Sequence, residues 1–75
     1  MKNEKQLKAM LAMEIAVLKL HQETKDQNWS DWQKALDVCD FDEMRKFEAL
    51  RSVSTNCISI CEGRIELLNE IMKEA

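Results

Sequence analysis

Between Phe47 and Met72 the side chains of Phe47, Leu50, Ser54, Cys57, Cys61, Ile65, Leu68 and Met72 recur every three or four residues without losing phase. That spacing places them on one face of an α-helix, and Met44, Val53, Ile58, Ile60, Leu67 and Ile71 flank the stripe. A helix over 42–74 would be about 48 Å long at the usual rise per residue. A compact globule of this chain length has a radius of gyration near 11 Å and is roughly 30 Å across. An unbroken rod of that length cannot be covered by its own chain. Ser52-Val53-Ser54-Thr55-Asn56 is the one place where weak helix formers gather. The stripe stays in phase across those residues with no glycine or proline among them, so continuity is expected.

The remainder of the chain also reads as helix. It has no proline, no tyrosine and one glycine, Gly63, which removes most of the turn chemistry that strands need. Lys8 to Leu20 carries only three charges in thirteen residues. Met10, Met13, Val17 and Leu20 form one stripe there, with Leu7, Leu11 and Leu18 beside it. Ala12, Ile15 and Ala16 widen the apolar face. Two adjoining stripes exceed a narrow two-stranded seam and suit a helix with at least two neighbours. After His21 the sequence turns polar, which places the end of the first helix near residue 26. Ser30 followed by Gln33 fits a capping box, and Asp40 followed by Glu43 fits a second N-terminal cap. The expected fold is all-α in a single domain over residues 1–75: a helix over about 4–26, a short helix over about 31–38 and a long helix over about 42–74. Dimerisation would complete a helical bundle.

Fourteen acids against eleven bases give a net charge of −3, spread along the chain. No broad positive field would draw in nucleic acid or an anionic membrane. Glu14 and Lys19 interrupt the most apolar run, so no segment is expected to span a bilayer, and Leu20 to Glu23 lacks the features of a signal-peptide cleavage site. The expected location is the cytoplasm, where three cysteines, an odd count, read as reduced thiols.

Several residues could carry chemistry. Cys57 and Cys61 lie one turn apart and, with Cys39 and His21, could offer three sulfurs and one imidazole to zinc. The plainer reading is that both cysteines pack as small hydrophobes among Ile58, Ile60 and Ile65, and that His21 caps a helix end. Nothing ties His21 to a nucleophile by spacing, and no glycine-rich loop could hold a phosphate. No catalytic residue and no cofactor are therefore expected. Trp29 and Trp32 either plug the end of the helical pair or anchor a partner. Ser30 to Arg51 has the element order of a DNA-reading helix-turn-helix with Arg45, Lys46 and Arg51 as its cations, but Asp37, Asp40, Asp42 and Glu43 would face phosphate.

Together these features point to a small non-enzymatic homodimer that binds another protein to regulate or sequester it, in the manner of an adaptor, chaperone or inhibitor. Self-association is expected through Met10, Met13, Val17 and Leu20 of the first helix and Ile58, Ile65, Leu68 and Met72 of the last. A DNA-binding regulator and a zinc or redox-sensing helical protein are the alternatives.

Overall fold

The computed structural model describes residues Glu4 to Glu74. The chain forms two helices, α1 (Glu4–Asp37) and α2 (Phe41–Glu74), each of 34 residues. They pack antiparallel into a hairpin whose Cα trace spans 54 × 14 × 14 Å. The molecule is all-helical, but a long helix and a long helix replace the expected long, short, long order. The outer limits of the expected domain, residues 1–3 and 75, lie outside the described residues.

The expected break near residues 27–30 does not occur, and Ser30 sits inside α1 rather than capping a new helix. Polarity was the misleading signal. Gln22 to Gln27 includes good helix formers, and no glycine or proline interrupts them. Thr24 Oγ1 donates to the Leu20 carbonyl at 3.0 Å, and Gln27 Nε2 donates to Asp31 Oδ1 at 3.0 Å. On a rod this thin most positions face water, so a polar run is compatible with helix. Continuity also keeps Trp32 and Ala35 in phase with Leu7, Leu11 and Leu18, so the inward face extends to the turn.

That face follows a heptad. Leu7, Glu14, His21, Asn28 and Ala35 recur every seven residues, and Leu11, Leu18, Lys25 and Trp32 fall four residues after the first four; all are buried or half-buried. On α2 the counterparts are Phe47, Ser54, Cys61 and Leu68, with Met44, Ile58, Ile65 and Met72. A strict seven-residue repeat keeps the seam of one helix facing its neighbour along the full length. Apart from Glu14, the seam is apolar toward both ends. Its middle is polar, with His21, Lys25 and Asn28 on α1 near the level of Ser54 and Arg51 on α2. As the stripe's phase requires, α2 continues through Ser52–Asn56. Thr55 Oγ1 donates to the Arg51 carbonyl at 2.9 Å there, a bond that lets a poor helix former satisfy its hydroxyl without leaving the helix.

Three residues reverse the chain. The Asp40 amide donates to the Ala35 carbonyl at 2.9 Å and the Cys39 amide to that of Leu36 at 3.0 Å. This pair of bonds is the Schellman closure of a helix, and it places the residue at Cys39 in the left-handed region, with φ at 56°. Asp40 then starts α2: its Oδ1 accepts from the Glu43 amide at 3.2 Å and its carbonyl from the Met44 amide at 3.0 Å, as the Asp40–Glu43 spacing predicts. One aspartate thus closes the first helix and opens the second.

In urea melts followed by helical circular dichroism, Asp40→Ala is expected to destabilise the protein by about 1 kcal/mol through loss of the cap. Cys39→Gly should stabilise it by up to about 1 kcal/mol by relieving the left-handed backbone. A Cys39→Gly variant less stable than the parent would show that the thiol, not the backbone, matters at the turn.

Candidate protein interaction surfaces

Two helices can cover only one stripe each. Among the described residues the buried apolar side chains are Leu7, Ala35, Cys61 and Leu68, and no large side chain is fully enclosed. The two stripes expected on α1 separate accordingly. Leu7, Leu11 and Leu18 pack inward, whereas Met10, Met13 and Leu20 remain exposed, Met13 at 69% and Leu20 at 59%, with Val17 half-buried between them.

α2 carries a matching open stripe. Leu50, Val53, Cys57, Ile60, Leu67 and Ile71 occupy the heptad positions next to its seam, and Val53, Ile60 and Leu67 are each more than half exposed. Both stripes are displaced from their seams in the same rotational sense along the chain. In an antiparallel pair that puts them on one side of the hairpin. The side is confirmed near the turn, where the same heptad positions of the two helices supply Asp31, Lys34, Val38 and Glu43 to a single shallow cleft. This face is therefore apolar over the half distant from the turn and charged beside it. Arg64 interrupts the apolar half. Its Nη1 lies 3.7 Å from Glu14 Oε1, and Glu14 Oε2 is buried with no hydrogen-bond donor among the described residues.

The opposite side holds an aromatic groove near the turn. Trp29 and Trp32 stack with ring centroids 5.0 Å apart and planes 6° from parallel. The Arg51 guanidinium lies 4.8 Å from the Trp29 ring centre, and Trp32 Nε1 donates to Glu48 Oε1 at 3.1 Å. With Phe47, Ser52, Thr55 and Asn56 these residues line an open groove of about 550 Å³. The stack lies within α1; the Arg51 cation over the Trp29 ring and the Trp32–Glu48 hydrogen bond cross to α2, each contributing on the order of 1 kcal/mol, and these two contacts staple α1 to α2. Trp32 is half-buried and fills the seam, whereas Trp29 is 42% exposed on the groove wall.

Of the residues expected to mediate self-association, Met10, Met13, Val17 and Leu20 lie on the open face. Ile58, Ile65, Leu68 and Met72 lie in the seam against α1 of the same chain, Leu68 buried and the others half-buried. Their place on the open face is taken by Val53, Ile60, Leu67 and Ile71. The sequence held the signal for this: a second run of three and four residue steps from Leu50 to Ile71 beside the first.

The four metal candidates are not brought together. Cys39 is exposed in the turn, His21 is half-buried in mid-hairpin, and Cys57 and Cys61 sit one turn apart on α2. Among the described residues no three His, Cys, Asp or Glu side chains cluster as metal ligands would. The candidate DNA contacts also diverge, with Arg45 exposed on α2. Lys46 lies 3.9 Å from Glu43 and 5.5 Å from the Phe47 ring centre, whereas Arg51 stacks on Trp29 across the other side of the hairpin. No described helix is long and apolar enough to cross a membrane.

Burial, and next the Glu14 carboxylate beside it, push the Cys61 thiol above its ordinary value. The folded state then holds this proton more tightly than the unfolded chain does. Its contribution to stability is complete below the ordinary thiol value of about 8.5 and is lost as pH rises through the folded value. As pH rises above the ordinary thiol value of about 8.5, stability is therefore expected to fall more steeply in the parent than in Cys61→Ala. Under native conditions iodoacetamide should modify Cys39 first and Cys61 last; rapid modification of Cys61 at neutral pH would contradict its burial.

Compared with protein-family models, curated proteins and solved structures, the chain finds no match.

Proposed function

We propose that this protein is a non-enzymatic helical hairpin that forms a homodimer through its open apolar face and, as a dimer, binds another protein to regulate or sequester it. The observation that carries this reading is the uncovered stripe pair, Met10 to Leu20 on α1 and Leu50 to Ile71 on α2. The hairpin exposes 5828 Å². A compact protein of 8.8 kDa exposes about 4,800 Å². The excess, about 1,000 Å² of polar and apolar surface together, reflects the rod shape and leaves room for an interface of standard size, roughly 800 Å² per partner. An exposed apolar face of this extent, broken only by Arg64, marks an interaction site. Trp29 and Arg51, of the residue types that dominate binding hot spots, lie on the other side of the hairpin and stay free for the second partner.

Sedimentation equilibrium tests the self-association. The parent chain should give the mass of a dimer at micromolar concentration, and Met13→Glu or Leu67→Glu should give a monomer. Each variant would bury a carboxylate twice per dimer at about 3–5 kcal/mol apiece, weakening association by more than about a hundredfold. Leu68→Glu should instead unfold the hairpin, since Leu68 lies in the seam. A dimer that survived Met13→Glu and Leu67→Glu with unchanged helicity would exclude the open face as its interface.

A further inference from the structure

We infer that the aromatic groove takes one amphipathic helix of the partner protein, which presents a carboxylate to Arg51 and Trp29 and lays its apolar side chains toward the bend of the hairpin. This inference rests on the proposed binding of another protein and names the chemistry of the segment bound. It does not depend on the dimer.

The polar groups of the groove set the charge of its occupant. Two of the lining side chains are charged, Glu48 and Arg51. Glu48 is committed, since its Oε1 accepts from Trp32 Nε1 at 3.1 Å. The Arg51 guanidinium lies 4.8 Å from the Trp29 ring centre, yet among the described residues no carboxylate comes within ion-pair distance of it. The Trp29 Nε1–H likewise has no acceptor among them, although the same group of Trp32 has one. Asp26 and Asp31, the nearest acids along α1, do not line the groove. Open donors therefore outnumber open acceptors here. A carboxylate from outside answers that excess, because its two oxygens match the fork of a guanidinium in a charge-assisted pair.

Toward the bend the same side of the hairpin turns apolar. Leu36 follows Trp29 by one heptad on α1, Phe41 precedes Glu48 by one heptad on α2, and the two are 45% and 61% exposed. Asp37 and Asp42 beside them outnumber Arg45, so an incoming carboxylate is disfavoured at that end and favoured at Arg51. Trp29 and Leu36 are about 10 Å apart along α1, which matches two turns of a helix laid beside it. Both helices of the hairpin spend their amides and carbonyls internally. An extended segment would find no backbone edge to pair with, whereas a helix brings its own hydrogen bonds and needs only side-chain contacts.

Both tryptophans of the chain line the groove, so intrinsic fluorescence reports its occupancy. The probes are capped helical peptides of about 15 residues, with leucines at i, i+3 and i+7 and a single glutamate one turn before the first leucine. In two control peptides glutamine or lysine replaces that glutamate. The glutamate peptide should shift the emission and bind about tenfold or more tightly than the glutamine peptide. Arg51→Gln should erase the preference. Arg51→Glu should transfer it to the lysine peptide, a gain of binding that a loss of folding cannot produce. Equal affinity for the glutamate and glutamine peptides, a preference that survives Arg51→Gln, or no response to any of the three would overturn the inference. A fluorescence change on concentrating the chain alone, abolished by Arg51→Gln, would assign the groove to a second copy and would overturn it too. A chain that sediments as a monomer yet discriminates the peptides removes the proposed dimer and leaves this inference standing; a dimer that ignores all three does the reverse.

Discussion

Two helices that touch along one line each leave every side chain open to water on at least one flank. This constraint governs the molecule. The heptad seam of α1 and α2 supplies the contacts that hold the hairpin together, yet the side chains it encloses most fully are a leucine pair, an alanine, a cysteine, an asparagine and a serine. A third and fourth helix are the usual remedy for such a deficit, and the chain carries the apolar stripes that a four-helix arrangement needs. Those stripes lie beside the seam rather than opposite it, so both helices of the hairpin contribute to one surface, interrupted at Arg64.

The level of one helix against the other follows from the turn and the polar middle of the seam. Asp40 is shared between the closing bonds of α1 and the cap of α2, leaving no slack residues between the helices. A shift of one heptad would need a longer turn and would carry His21, Lys25 and Asn28 away from Ser54 and Arg51 onto apolar partners. Burying those groups without polar company costs more than the exchange of one apolar contact for another. The tryptophan stack, with Arg51 on one ring and Glu48 accepting from the other, holds the same level a few turns from the bend. Local capping, seam polarity and the aromatic staple thus agree on one register, which is the consistency expected of a sequence that specifies a single structure.

The helical class, the Asp40 cap and the continuity of α2 were all legible in the sequence because each depends on local chemistry or on an unbroken period. The continuity of α1 was harder to read. Gln22 to Gln27 looks like the end of a helix when apolar content is the guide, and Ser30 with Gln33 looks like a beginning. What decides is the register: Trp32 and Ala35 are in phase with Leu7, Leu11 and Leu18 only if no residue between them leaves the helix. The open face was half legible. On α1 its stripe could be named because Leu7, Leu11 and Leu18 stood beside it as a second one. On α2 the stripes containing Cys61 and Ile60 are nearly equal in apolar content, and sequence alone cannot say which turns toward α1. The aromatic groove joins residues from two helices at a level fixed by the turn, so spacing along the chain does not reveal it.

Separation of the two surfaces shapes what a dimer could do. In the proposed dimer the interface takes the distal half of one side of each hairpin, while the groove with Trp29 and Arg51 occupies the other side near the turn. In a face-to-face pair the two grooves then face away from each other. A partner bound in one groove leaves the other free, so the dimer would hold two copies of a small partner or join two larger ones. Dimerisation and partner binding draw on different side chains, which lets either be lost by substitution without the other. That independence follows from the heptad itself, since stripes that leave the seam in opposite rotational senses emerge on opposite sides of an antiparallel pair.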